Sequence, residues 1–234
     1  MSSTLQEQIK LGLPEKQGLY DPAFEKDSCG VGFVAHIKGE PSHQIVLDAD
    51  HMLQRMEHRG GCGCEANTGD GAGILTGMPH EFMVKVARND LGEVLPGVGR
   101  YAAGNVFFPQ DEQQRAHCKQ TIEKIIEEQG QRLIGWRDLP VDTDGADVGP
   151  TARVSQPYMK QLFIAAAEGL ADSDFERQLY IIRKRSTNSL RADKSMSQRT
   201  LFYICSLSPR IIIYKGMLNA LQVKAFFPDL VDED

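Results

Sequence analysis

Apolar and polar positions along this chain switch repeatedly between a strand-like and a helix-like spacing, and the switches lay out its elements. Residues 29 to 37, opening on Cys29-Gly30-Val31-Gly32-Phe33-Val34-Ala35, form a valine- and glycine-rich apolar run that predicts a strand. Lys38-Gly39-Glu40-Pro41 turns the chain, and Ser42 can cap a helix whose apolar positions Ile45, Ala49, Met52, Leu53 and Met56 follow the 3.6-residue period. That helix is expected to end near Arg59-Gly60, with Gly60 as a left-handed cap. A glycine-rich loop from Gly60 to Gly73 leads into a short strand at Ile74-Leu75-Thr76, and Pro79 suits the first turn of a helix to about Arg88. Tyr101 to Phe108 reads as a strand, residues 111 to 129 as an amphipathic helix around Ile122, Ile125 and Ile126 closed by Gly130, and Leu133 to Trp136 as a strand.

Past an aspartate- and glycine-rich loop, Asp142 to Gly149, Leu162 to Ala167 reads as a buried strand. Ser173-Asp174-Phe175-Glu176 has the spacing of a capping box and predicts a helix to about Lys184. Leu201 to Leu207 and Ile211 to Lys215 predict a hairpin around Ser208-Pro209-Arg210. Strands that can pair as neighbours, mixed with helices rather than arranged in repeated strand–helix–strand units, point to an α+β fold. Residues 1 to 28 are polar and broken by Leu13-Pro14, Gly18 and Asp21-Pro22, so they predict neither a long helix nor a secretory signal.

Composition narrows the function classes. The 234 residues are 41% hydrophobic and 25% charged, with a net charge of −6, which argues against a nucleic-acid surface or a polybasic membrane patch. The basic cluster Arg183-Lys184-Arg185 reads as a solvated helix face. Five cysteines, without the spacing of a disulfide framework, fit a reducing, cytoplasmic setting. No apolar run approaches the length of a membrane span.

Cys29 stands at the first position of an apolar run instead of inside it. A thiol attacks an amide carbonyl as its thiolate, and at a chain terminus its own α-amine, with an ordinary pKa of about 7.7–8.0, can act as base. Gly30 and Gly32 let backbone approach a ligand, and Ser28 leaves room for cleavage before Cys29. The residue pattern alone also allows Cys29 to be a small core residue, and Arg59 to be a dipole partner beyond a helix end. Cys62, Cys64 and His58 raise a metal-site alternative, but no second closely spaced cysteine pair exists to complete a zinc set. Gly69, Gly71 and Gly73 resemble a phosphate loop in composition only, since they enter a strand instead of a helix.

Taken together, Cys29-Gly30-Val31-Gly32-Phe33, Met56-Glu57-His58-Arg59-Gly60 and Asp70-Gly71-Ala72-Gly73-Ile74 resemble the class II glutamine amidotransferases, which are N-terminal-nucleophile (Ntn) hydrolases. Cys62-Gly63-Cys64-Glu65, Leu19-Tyr20-Asp21-Pro22 and Pro79-His80-Glu81-Phe82 resemble the domain that begins the glutamate synthase large subunit. The resemblance implies an Ntn-hydrolase-like αββα sandwich, with residues 1–28 as a leader removed before Cys29 and residues 29–234 as the N-terminal part of the amidotransferase domain. It implies that Cys29 attacks the amide of glutamine to release ammonia, that Arg59 braces the nucleophile end of the pocket, and that Asp70 supports the glycine turn.

The family places a substrate-clamping arginine segment and an Asn-Gly oxyanion segment further on. No Asn-Gly dipeptide occurs here, and Arg185-Ser186-Thr187-Asn188 precedes the predicted hairpin where the family segment would follow it. The resemblance therefore implies an incomplete domain, inactive alone, since one lost oxyanion donor costs about a hundred- to a thousandfold in rate. It would pair with the remaining glutamate synthase segments or a complementing chain, and its unfinished sheet edges predict poor solubility when isolated. The alternative is a non-catalytic truncated paralogue serving as an interaction or regulatory module. No cofactor or metal is implied for this segment. FMN and an iron–sulfur cluster are implied only for a full-length glutamate synthase, where ammonia would reach a flavin domain.

Overall fold

The strand Tyr101–Phe108 organises the larger of two sheets in the computed structural model, which describes residues 15–21, 29–61 and 65–233. Numbered in chain order, the helices are α1 (His43–Arg55), α2 (His80–Val86), α3 (Glu112–Glu128), α4 (Pro150–Val154), α5 (Asp172–Ala192) and α6 (Gln222–Phe226). The strands are β1 (Ala72–Gly77), β2 (Tyr101–Phe108), β3 (Arg132–Asp138), β4 (Tyr158–Ala165), β5 (Tyr203–Ile204) and β6 (Ile211–Gly216). The larger sheet runs β3-β4-β2-β5, antiparallel throughout, with β2 and β4 in register from Tyr101 opposite Ala165 to Phe108 opposite Tyr158. The smaller is an antiparallel ribbon of β1 and β6, with Ile74 opposite Tyr214. Antiparallel sheets with helices in their own layers make this an α+β protein.

Strand alternation sends the two faces of β2 into two separate cores. Ala102, Val106 and Phe108 join Leu162 and Ile164 of β4 beneath α3 and α5. The helices answer with Cys118, Ile122, Ile125 and Ile126 on α3 and Phe175, Leu179, Ile182 and Leu190 on α5, all buried at helical spacing. Phe108 meets Trp136 and Phe202 edge-on, at 5.4 and 6.0 Å between ring centres. On the opposite face, Tyr101, Ala103, Phe163 and Ala165 pack with Ile74, Ile212 and Tyr214 from the ribbon, and Val46, Ala49 and Leu53 of α1 pack against that second core.

A buried polar chain ties the two sheets together. Arg137 of β3 donates through both Nη atoms to Asp229 (2.7 and 2.9 Å), and through Nε to Asp90 (2.6 Å). Tyr214 of β6 donates its hydroxyl to the same Asp229. Arg137 also reaches the Gln161 side-chain oxygen, Gln161 donates to Asn105, and Asn105 donates to the Ile213 carbonyl of β6. Burial opposes the Arg137 charge, yet Asp229 against it holds the guanidinium above its ordinary pKa. Burial, followed by the Asp229 charge, pushes the Tyr214 hydroxyl well up.

Several local expectations give way to tertiary context. The apolar run from Cys29 forms no strand. Its residues have no regular structure up to a turn at Ile37-Lys38, and Phe33 and Ile37 are 89% and 101% exposed. A strand exists only through a ladder partner, and none of the described strands pairs with this run. Ser42 does cap α1, accepting from the Gln44 amide, but the α-helix stops at Arg55. A 3₁₀ turn, Glu57–Arg59, follows, and Gly60 has an extended φ of −88° in place of a left-handed one. The expected capping box at Ser173 is not used: Ala171 is the N-cap of α5, which runs on to Ala192 and takes Arg185-Ser186-Thr187-Asn188 into a helix.

The expected hairpin around Pro209 is a crossover instead. Tyr203-Ile204 pairs with β2, Ser208 bridges to Ala103, and β6 leaves to pair with β1 in the other sheet. β1, β2, β3 and α3 lie where the hydrophobic spacing put them, with Asp111 capping α3 and Gly130 at φ +69° beyond its end, whereas β4 begins at Tyr158, four residues before the expected Leu162, because β2 and β3 offer it partners there. The short helices α4 and α6 have no counterpart among the expected elements.

Candidate active site

The chain divides into two compact units, Met1–Val31 and Gly32–Asp234, and the predicted site residues fall on both sides of that division. In the first unit, Gln17 and Tyr20 pair backbone to backbone around Gly18 at φ +56°, and the Cys29 thiol is exposed and not in a disulfide. Ser28, and with it the predicted cleavage junction, lies outside the described residues.

In the second unit, Arg59 ends the 3₁₀ turn after α1, which the Gly60 amide closes on the Glu57 carbonyl at 2.8 Å. Only its backbone is described, so the bracing role expected of its side chain lies outside the described structure. Cys62 and Cys64, the core of the metal-site alternative, also lie outside the described residues. Among the described residues, no group of three or more His, Cys, Asp or Glu could hold a metal ion.

Asp70 is exposed at the end of the loop, and its amide donates to the Gly61 carbonyl at 3.0 Å, closing the loop's neck. Arg59 and Asp70 thus flank a single closed loop that leads directly into β1. One step before Asp70, Gly69 packs flat on the backbone before α6. A Cβ there would come within 2.3 Å of the Leu218 carbonyl, so no larger residue fits without moving that backbone.

Sequence reasoning gave no role to the residues that hold this loop. The Glu65 carboxylate accepts from the Thr68 hydroxyl at 2.7 Å, from the Thr151 hydroxyl at 2.6 Å and from the Thr151 amide at 3.2 Å. Those bonds, the Thr151 hydroxyl first, hold its carboxyl below the usual carboxylate range. The Asn67 carbonyl accepts from the Gly149 amide and from the buried Gln222 side chain, which also donates to the Asp147 carbonyl. Lys224, also on α6, pairs at 2.9 Å with the buried Asp50 of α1. A signal for Gln222 did exist: Asn219 and Gln222 exchange side-chain and backbone bonds in the reciprocal manner of a capping box.

Residues 29–234 match the family model of the class-II glutamine amidotransferases. The chain belongs to that family. Among its relatives, the glutamate synthase [NADPH] large chain of Bacillus subtilis is 43% identical over 222 residues, covering 94% of this chain and 14% of the relative. The glutamate synthase [NADH] of Schizosaccharomyces pombe is 44% identical over 224 residues, covering 93% of this chain and 10% of the relative. Ferredoxin-dependent glutamate synthase 1 of Arabidopsis thaliana is 38% identical over 224 residues, covering 94% and 13%. This class II amidotransferase chain therefore spans no more than about a seventh of the curated relatives it matches. None of its helices, among the described residues, is long and apolar enough to cross a membrane.

Proposed function

We propose that this chain is the glutamine-hydrolysing region of a cytoplasmic glutamate synthase, with Cys29 as the nucleophile after removal of residues 1–28. The supporting observation is that the family match opens on Cys29 itself, whose thiol is exposed. The α-amine freed by cleavage takes the thiol proton, and the thiolate adds to the γ-amide carbon of glutamine. The tetrahedral adduct collapses with return of that proton to the leaving nitrogen, releasing ammonia. Water then cleaves the glutamyl thioester to glutamate. Thiol, amine and water suffice, so this half-reaction calls on no cofactor. Arg59 braces the pocket at the end of its 3₁₀ turn, and Asp70 supports the turn into β1. The layers of Gly32–Asp234, with helices on the far face of one sheet and α1 beside the ribbon, support the Ntn-hydrolase αββα architecture.

In a full-length glutamate synthase the ammonia would pass to a flavin domain, with FMN and iron–sulfur chemistry supplied by that larger protein. The substrate clamp and oxyanion segments would come from the remaining glutamate synthase segments or from a complementing chain. A second reading, a non-catalytic interaction module, is favoured by the apolar side chains that Val31, Phe33 and Ile37 leave exposed. Incubation of the chain together with those segments and the electrophilic glutamine analogue 6-diazo-5-oxo-L-norleucine, followed by intact mass analysis, separates the two. A chain lacking residues 1–28 with one adduct on Cys29 supports the glutaminase. An uncut and unlabelled chain supports the module.

A further inference from the structure

The loop between Gly61 and Asp70 is fastened by bonds of two kinds. Two of them grip the Asn67 carbonyl, from the Gly149 amide at 2.9 Å and the Gln222 side chain at 2.9 Å. Such bonds tolerate most side chains on the loop itself. The third fastening depends on one loop side chain. Glu65 spans 86 positions of sequence to take two donors from Thr151, at the start of α4, while its Oε2 also takes the hydroxyl of Thr68. Charge-assisted bonds to a carboxylate are about twice as strong as neutral ones.

The fit around this carboxylate is close. A Cβ on Gly149 would fall 2.2 Å from the Thr68 hydroxyl oxygen and 2.5 Å from Glu65 Oε2, so backbone approaches the anchor directly. Asp70 follows only two residues after Thr68, and β1 begins at Ala72. Freedom lost at Glu65 and Thr68 is therefore freedom lost at Asp70.

We propose that Glu65 is a positioning residue: its carboxylate latches the loop of residues 65–70 onto Thr151 and so fixes Asp70 and the entry to β1 in the shape that receives glutamine. The role in glutamine binding rests on the glutaminase reading above; the latch itself does not. Glu65 touches no reacting atom in this scheme. Its loss loosens the receiving surface without removing the nucleophile.

The test uses the full-length protein with Glu65→Ala, Glu65→Gln and Thr151→Val. Hydrogen exchange at the amides of residues 67–70 reads the latch, and saturation kinetics of inactivation by 6-diazo-5-oxo-L-norleucine read the site. In Glu65→Ala, exchange should rise about tenfold or more, the factor one charge-assisted bond contributes. The half-saturating analogue concentration should rise by a similar factor, while the maximal inactivation rate changes less than about threefold. Glu65→Gln, which keeps an acceptor oxygen, should fall between wild type and Ala on both readouts.

Thr151→Val removes one donor without touching the loop, and should reproduce a smaller part of both shifts even if Glu65→Ala fails to fold. Unchanged exchange in the folded variants overturns the latch. Faster exchange with an unchanged half-saturating concentration overturns its role in receiving glutamine. A wild-type protein that never labels overturns the glutaminase reading alone, and the exchange arm still decides the latch.

Discussion

The four-stranded sheet and the β1–β6 ribbon are built from similar proportions of valine, isoleucine and aromatic sequence, yet the first is covered on both faces and the second keeps an exposed side. The larger sheet buries one face under α3 and α5 and the other against the ribbon. In the ribbon, β1 pairs with β6 alone among the described residues, and Leu75 remains 56% exposed. Phe33 and Ile37, which precede the ribbon in sequence, are almost fully exposed. The difference teaches that apolar content alone does not make a strand. β4 forms because β2 and β3 flank it, while the Cys29 run, at least as rich in strand formers, has no described partner.

The largest expected effect lies at the joint between the two regions. Arg137→Ala would leave Asp229 buried without its counter-charge and should cost about 3–5 kcal/mol in urea unfolding. A smaller loss would mean that the polar chain does not couple the sheets. Next comes the contrast itself. Phe175→Ala, in the closed core, should cost about 3–5 kcal/mol, whereas Phe33→Ala should change stability by less than about 0.5 kcal/mol. Equal losses would mean that the exposed run is packed in solution and would break the comparison.

The thiols sharpen it further. Burial pushes the Cys118 and Cys205 thiols up to about 12, from 9.0. Being held protonated in the fold, they support stability fully below pH 9, and that contribution is lost as pH rises through about 12. At pH 8 an alkylating reagent should therefore modify exposed Cys29 in the native protein and spare Cys118 and Cys205. Peptide mapping before and after unfolding checks this. The smallest expected losses within the packed helices are at two caps, one in each region: Ser42→Ala on α1 and Asp111→Ala on α3 should each cost about 1 kcal/mol by thermal unfolding. A markedly smaller loss at Ser42 would show that α1 is less firmly seated on the ribbon than α3 is on its sheet.

Much of the fold was legible beforehand because its signals are local. Ile122, Ile125 and Ile126 mark the buried side of α3 by spacing alone, Asp111 and Gly130 mark its ends, and the apolar run Tyr101–Phe108 is β2 with the same bounds. The motif Arg59-Gly60 through Asp70-Gly71 was legible as a unit, and the structure brings its two ends to one closed loop. Of the residues that hold that loop, only Gln222 carries a local signal, its spacing from Asn219. Glu65 meets Thr151 across 86 residues, and no residue pattern near either of them announces the meeting.

The sequence by itself determined the periodic elements, the α+β class and the family to which Cys29 and its neighbours belong, because each rests on residues a few positions apart. Only the tertiary structure decided which apolar runs became strands, that Ser208-Pro209-Arg210 carries the chain between sheets, and that Arg137, Asp229 and Tyr214 share one buried site. Those outcomes depend on partners distant in sequence. A ladder, a buried charge or a latched loop has no stability until both sides are present, so neither side encodes it alone.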